Sequence, residues 1–151
     1  MPDFSALQLS DLPEMLQLEQ ICFAYDAWSE PLLRVQLSDE RRFTLGLRQP
    51  GIIAFACFSL LLDEAELLQV AVDPACRQQG LAAGLLQHSF ELLAAQGIRR
   101  VLLEVRAGNQ PARALYHRLN FVAEGTRKGY YAATLQQPAE DAVLMSLSFP
   151  E

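Results

Sequence analysis

The stretch Asp73-Pro74-Ala75-Cys76-Arg77-Gln78-Gln79-Gly80-Leu81-Ala82-Ala83-Gly84 joins an apolar segment to a leucine-rich one through an arginine, a glycine and then small residues. If a strand precedes it and a helix follows, the first helical N–H groups lack intrahelical partners and carry the positive end of the helix dipole. Gly80, Ala82, Ala83 and Gly84 then leave room for a bulky anion at that backbone, and the chemistry is phosphate binding. Close packing of a helix on a sheet would use the same small residues. Two other phosphate loops are excluded. No Gly-Lys-Ser/Thr ending is present, and Gly80 and Gly84 do not make G-x-G-x-x-G with an acidic ribose ligand about 20 positions on.

Two side chains beyond this loop could move protons. Glu104 lies in Val101-Leu102-Leu103-Glu104-Val105, a segment apolar enough to be buried, and apolar surroundings suit a carboxylate to general-base work. The alternative is an ion pair with Arg106, on the same face of the same strand. Tyr116 falls about two turns into a predicted helix, where a tyrosine either packs a core or acts as an acid. A phenol of solution pKa about 10 protonates a thiolate of pKa about 8.5 only when it is well positioned. His117 is adjacent in sequence, but neighbouring helical residues point about 100° apart, which turns it to solvent.

The elements that must position these residues follow from periodicity and punctuation. A short strand over 4–9 is followed by a helix over 10–23, with Ser10 as N-cap and Leu12, Met15, Leu16 and Glu19 at helical spacing. Ser29-Glu30-Pro31 starts a second helix. Strands over 42–48, 52–62 and 65–72, with turns at Gln49-Pro50-Gly51 and Asp63-Glu64, make an antiparallel meander. Residues 80–96 form the strongest helix, with Leu81, Leu85, Leu86, Leu92 and Leu93 as its apolar stripe and Gly97 as its stop. A buried strand over 100–106, a short helix from Asn109 to about Leu119-Asn120, and strands over 121–127 and 142–149 complete the chain. Residues 129–141 lack periodicity and read as a loop. The step from Val72 to Val101 implies a parallel strand pair with a crossover helix. The expectation is one α/β (α+β) domain over 1–151, a mixed and mostly antiparallel sheet flanked by helices.

Composition narrows the function. A chain of 151 residues, 51% apolar and 20% charged, has the balance of a soluble globular domain. No signal peptide opens it, and the apolar run over 52–62 is far short of the roughly 20 residues that cross a bilayer, giving a cytoplasmic expectation and no membrane partner. A net charge of −6 argues against nucleic acid and toward a cationic partner. Cys22, Cys57 and Cys76 have no zinc-ligand spacing, His88 and His117 do not complete a site, and no metal is expected.

Arg77-x-x-Gly80-x-Ala82 resembles the pyrophosphate motif of the GNAT acetyltransferase superfamily. Ala71-Val72-Asp73-Pro74, Leu103-Glu104-Val105-Arg106, Asn109, Ala114-Leu115-Tyr116 and Asn120-Phe121 extend the likeness to the bacterial ribosomal-protein-alanine N-acetyltransferases, the RimI type. Trp28-Ser29-Glu30, Tyr130-Tyr131 and Glu140-Asp141-Ala142 are similar to that family too. Ala82 stands where glycine is common, Ala27 where proline often precedes the tryptophan, and Asn120 where glycine is common.

The resemblance implies a GNAT-like acyl-CoA N-acyltransferase fold with acetyl-CoA as co-substrate. It makes Glu104 the proton acceptor and Tyr116 the proton donor to the CoA thiolate. Backbone groups of Val70, Ala71 and Val72 would run along the pantetheine arm. Gln78, Gln79, Gly80, Leu81, Ala82 and Ala83 would hold the pyrophosphate, and Asn109 would bond the arm farther on. Trp28, Tyr130 and Tyr131 would line the acceptor channel; an aromatic corner packing the loop is the alternative for the two tyrosines. The implied acceptor is the N-terminal alanine of a small-subunit ribosomal protein. A lysine, another protein N-terminus or a small amine is a second reading, and a non-catalytic CoA-binding module a third, which Glu104 and Tyr116 argue against.

Overall fold

The computed structural model describes residues 3–150; Met1, Pro2 and Glu151 of the expected domain lie outside the described residues. The strands are β1 (Asp3–Ala6), β2 (Arg42–Arg48), β3 (Ile52–Leu61), β4 (Glu64–Val72), β5 (Arg100–Arg106), β6 (Val122–Tyr131) and β7 (Glu140–Ser148). The helices are α1 (Leu12–Phe23), α2 (Glu30–Ser38), α3 (Leu81–Ala95) and α4 (Gln110–Arg118). One seven-stranded sheet has the order β1-β2-β3-β4-β5-β7-β6. Every neighbouring pair is antiparallel except β4 and β5, the parallel pair bridged by α3.

Helices cover both faces. On one, α3 packs Leu85, Leu86, Phe90 and Leu93 over Leu45, Ala56, Phe58, Leu67, Val101, Leu103 and Val105. On the other, Leu12, Met15 and Leu18 of α1 and Leu33 of α2 cover Phe55, Cys57 and Ala71. Strand alternation decides which face each residue serves, and β4 changes its alternation partway. Phe58 pairs with Leu67 but Cys57 with Gln69, which leaves Leu68 as an extra residue. This bulge puts Ala65 and Leu67 on the α3 face, then Gln69 and Ala71 on the α1 face.

Several boundaries differ from expectation for identifiable reasons. Ser10 is not the N-cap of α1. A 3-10 turn over Leu9–Asp11 intervenes, closed by Asp11 Oδ2 accepting from Gln8 N–H at 2.8 Å. Leu92 is 40% exposed, and the α3 stripe runs through Ser89 and Phe90 instead. Gly97, at φ +96, does follow the end of α3. Strand β5 is buried on alternate residues only, since one of its faces is polar. Residues 129–141 are not a single loop: β6 continues through Tyr131 and β7 begins at Glu140. Strand β6 lies at the sheet edge with all but Tyr131 exposed, so it has no buried face to write an apolar alternation.

Candidate active site

The sheet opens between β4 and β5. These strands pair only at Glu64–Arg100, Ala65–Val101 and Glu66–Leu102, although β4 continues to Val72 and β5 to Arg106. The far edges of both stay tied, β4 to β3 as far as Val72 and β5 to β7 as far as Arg106. The inner backbone edges of Val70 and Val72 therefore face a gap, where a strand-like ligand arm can bond, while Ala71, paired with Phe55, turns its own backbone groups to β3.

A cavity of about 600 Å³ adjoins this gap. Val70 and Val72 form one side, the Cys76–Ala83 segment the end, and α4 the far wall through Pro111, Ala112, Leu115, Tyr116 and Arg118. Helix α3 points its N-terminus into it. Gly80 is the N-cap at φ +74, so no side chain caps the helix, whereas Ser29 caps α2 and Asn109 caps α4. Gln78 is also left-handed, at φ +65, a conformation an L side chain adopts only under strain. Fifteen residues of aligned peptide dipoles thus end on uncapped N–H groups beside Arg77 and Arg118, an arrangement with the chemistry to hold an anion. Arg77 is oriented by its own Nε–H, which donates to Val72 O at 3.1 Å.

Most of the residues expected to touch the cofactor meet here. Val70, Val72, Gln78, Gly80, Leu81, Ala82, Ala83, Asn109 and Tyr116 line the cavity; Gln79 and Ala71 do not, Ala71 being buried toward the α1 face. Asn109 has a second occupation, because its Oδ1 accepts from Ala112 N–H at 3.2 Å. Arg118 was missed from sequence. Pro111, Leu115 and Arg118 stand at i, i+4 and i+7, a spacing that places Arg118 on the lining face of α4.

Glu104 and Tyr116 lie on opposite faces of the sheet. Tyr116 packs with the α3 core, its ring 5.6 Å from Phe121. Burial, helped by the nearby Tyr131 phenol, pushes its hydroxyl up to about 12. Glu104 alternates with the buried Val101, Leu103 and Val105 and faces the other way. Its surroundings are polar, contrary to the apolar setting expected. Arg127 of β6 stands 3.5 Å from it, while Arg106, the expected partner, pairs with Glu140 at 3.5 Å. The gap between β4 and β5 joins the two faces: Tyr131 lies near enough to feel the charge of Glu104 and to influence Tyr116.

Aromatic residues border the Glu104 face. Tyr130 and Tyr131 meet edge to face at 5.2 Å, with Arg106 over Tyr131 at 4.2 Å and Arg127 over Tyr130 at 5.3 Å. Tyr130 is 50% exposed. Trp28 is half-buried against the α1–α2 core, and its backbone N–H donates to Glu19 at 2.9 Å. His117 is exposed, and all three cysteines are free thiols. Among the described residues no helix is long and apolar enough to cross a membrane.

Residues 12–121 match the Acetyltransferase (GNAT) family. The [Ribosomal protein bS18]-alanine N-acetyltransferase of Escherichia coli K12 is 39% identical over 148 residues, covering 97% of both chains. The crystal structure of the ribosomal-protein-S18-alanine N-acetyltransferase from Escherichia coli superposes with a TM-score of 0.91 at 37% identity, covering 100% of this chain and 96% of that one. Arabidopsis thaliana NAA60 in complex with acetyl-CoA shares the fold, with a TM-score of 0.86 at 19% identity over 99% of both chains.

Proposed function

The chain belongs to the acetyltransferase (GNAT) family, and from that premise we propose that it acetylates a protein N-terminus, the N-terminal alanine of ribosomal protein bS18, using acetyl-CoA. The observation that carries this reading is the 39% identity to the Escherichia coli bS18-alanine enzyme across 97% of both chains. The opened β4–β5 edge and the uncapped α3 N-terminus support it by fitting the two ends of the co-substrate.

Acetyl-CoA supplies an activated thioester carbonyl and a thiolate leaving group. The N–H groups of the Gly80–Ala83 segment, with Arg77 and Arg118, hold its pyrophosphate by the helix dipole and by charge. The inner edges of Val70 and Val72, with Asn109, align the arm. Glu104 accepts the proton that the attacking amine sheds, and Tyr116 donates a proton to the departing sulfur from the opposite face. Tyr130, Tyr131 and the Trp28 segment guide the acceptor chain toward the gap. An α-amine has a pKa near 8, against about 10.4 for lysine, so an N-terminus asks less of a general base than a lysine does.

The test is incubation with acetyl-CoA and a panel of N-terminal and lysine peptides, read by mass spectrometry. Acetylation at the α-amine of an Ala-starting bS18 peptide is expected; acetylation confined to lysine or polyamines overturns the acceptor assignment. Ala82→Asp checks the cofactor site, because a carboxylate in the first turn is tolerated by the helix but repels a pyrophosphate. Calorimetry should show acetyl-CoA affinity reduced by orders of magnitude in the folded variant.

A further inference from the structure

Glu19 has a fully buried carboxyl that the chemistry above does not use. It projects from α1 toward the β4 bulge. Its Oε2 accepts from Trp28 N–H at 2.9 Å and from Gln69 Nε2 at 2.7 Å. Its Oε1 is buried without a partner, and so is the Oε1 of Gln69, the residue it already contacts. Among the described residues no lysine or arginine forms an ion pair with Glu19. An ionised Glu19 would therefore leave a charge out of water with no cation and two acceptors with no donor, each a costly arrangement.

One proton resolves all three. Placed on Glu19 Oε1 and donated to Gln69 Oε1, it satisfies both orphaned oxygens and removes the charge. The Gln69 amide already returns the second bond. We propose that Glu19 and Gln69 form a closed carboxylic acid–amide pair, with Glu19 neutral, that positions Trp28 and the α1–α2 segment against β4. As a positioning role it rests on the reading that the Trp28 segment faces the acceptor. The pair ties that segment to Gln69, the residue immediately before the β4 edge assigned to the cofactor arm.

The electrostatics agree. Burial raises the Glu19 carboxyl, against smaller opposing pulls from Trp28 N–H and the Gln69 amide. The ionisable groups that feel it are the Cys22 thiol on α1 and the Cys57 thiol on β3, both raised chiefly by burial. Arg77 and Asp73 lie beside Cys22, and Arg42 near Cys57. Tyr25 and Asp26, in the turn after α1, are exposed.

The proposal separates two variants. Glu19→Gln supplies an N–H where the acid has its O–H, so it should keep the acceptor KM within about twofold. Glu19→Ala leaves Trp28 N–H and Gln69 without partners and should raise acceptor KM about tenfold with kcat little changed. Infrared difference spectra of wild type against Glu19→Gln should show a protonated carboxyl band at neutral pH. A neutral buried acid whose unfolded form ionises binds its proton more tightly when folded. Wild type should therefore lose stability relative to Glu19→Gln as pH rises above about 5, until the buried carboxyl itself ionises. A missing carboxyl band, or a Glu19→Gln variant as impaired in KM as Glu19→Ala, overturns the pair. If Glu19→Ala does not fold, the band and the pH response of Glu19→Gln still decide the matter. They also stand if no peptide is acetylated, an outcome that removes the acceptor reading alone.

Discussion

At the scale of single residues, the placement of Glu104 and Tyr116 on opposite faces makes their roles separable. In the proposed reaction an amine approaching from the Glu104 face and a sulfur leaving toward Tyr116 need two proton transfers at different atoms, one assigned to each residue. Tyr116, pushed up to about 12 by burial and then by Tyr131, keeps its proton throughout the neutral and mildly alkaline range. The kcat/KM profile should therefore rise as the acceptor α-amine deprotonates near pH 8, with no descending limb from Tyr116 by about pH 10. Tyr116→Phe and Glu104→Gln should each lower turnover by about 10²–10⁴-fold while acetyl-CoA affinity in calorimetry stays within error. Full turnover in either folded variant removes that residue from the reaction. Arg127, 54% exposed at 3.5 Å from Glu104, is a loose partner that water can replace.

At the scale of elements, helix ends carry the site, and each end is used differently. The α3 terminus is open for an anion, while the α4 terminus is closed by Asn109 in the same cavity. This gives Asn109 two roles that substitution can divide. Asn109→Ala removes the cap and should cost about 1 kcal/mol, a fall in Tm of roughly 2–4 °C. Asn109→Asp keeps a capping oxygen but loses the amide donor, so it should hold Tm while weakening acetyl-CoA binding; unchanged binding in that variant leaves Asn109 as a cap alone. Such ends were legible in sequence because their signals are local: Ser29 before Pro31, Asn109 before Pro111, Gly80 before a leucine stripe. The parallel β4–β5 pair was legible too, from the strand–helix–strand order. Features that depend on a distant partner were not. Nothing around Leu68 announces a bulge, because the extra residue exists only relative to β3. Nothing near Glu104 names Arg127, which arrives from β6 across β7. Glu19 fits a core-facing position by spacing, yet what it does depends on Gln69, fifty residues on.

At the scale of the whole molecule, the question is whether a net charge of −6 reaches the acceptor. Four carboxylates that flank Trp28 and the start of β7, Asp26, Glu30, Glu140 and Asp141, would attract an arginine-bearing peptide if they were free. Three are committed. Glu30 pairs with Arg34, Glu140 pairs with Arg106 and accepts from Gly108 N–H, and Asp141 accepts from Gly129 N–H at 2.7 Å. Asp26 remains, and so does Glu66, exposed on the β4 face that Glu104 shares, with no ion pair among the described residues. Partial burial of its carboxyl and then the charge of Glu104 raise Glu66, and the second of these favours an incoming cation between the two carboxylates. Attraction should thus come from Glu66 more than from the loop edges. For an Ala-starting peptide with arginines, kcat/KM should fall as salt rises, since surface fields are screened within about 8–10 Å near physiological ionic strength. Glu66→Gln should flatten that dependence through KM and leave kcat unchanged. An equally steep salt response in Glu66→Gln would move the attraction to the net charge as a whole, and a salt-insensitive wild type would discard electrostatic steering while leaving the acetyl transfer intact.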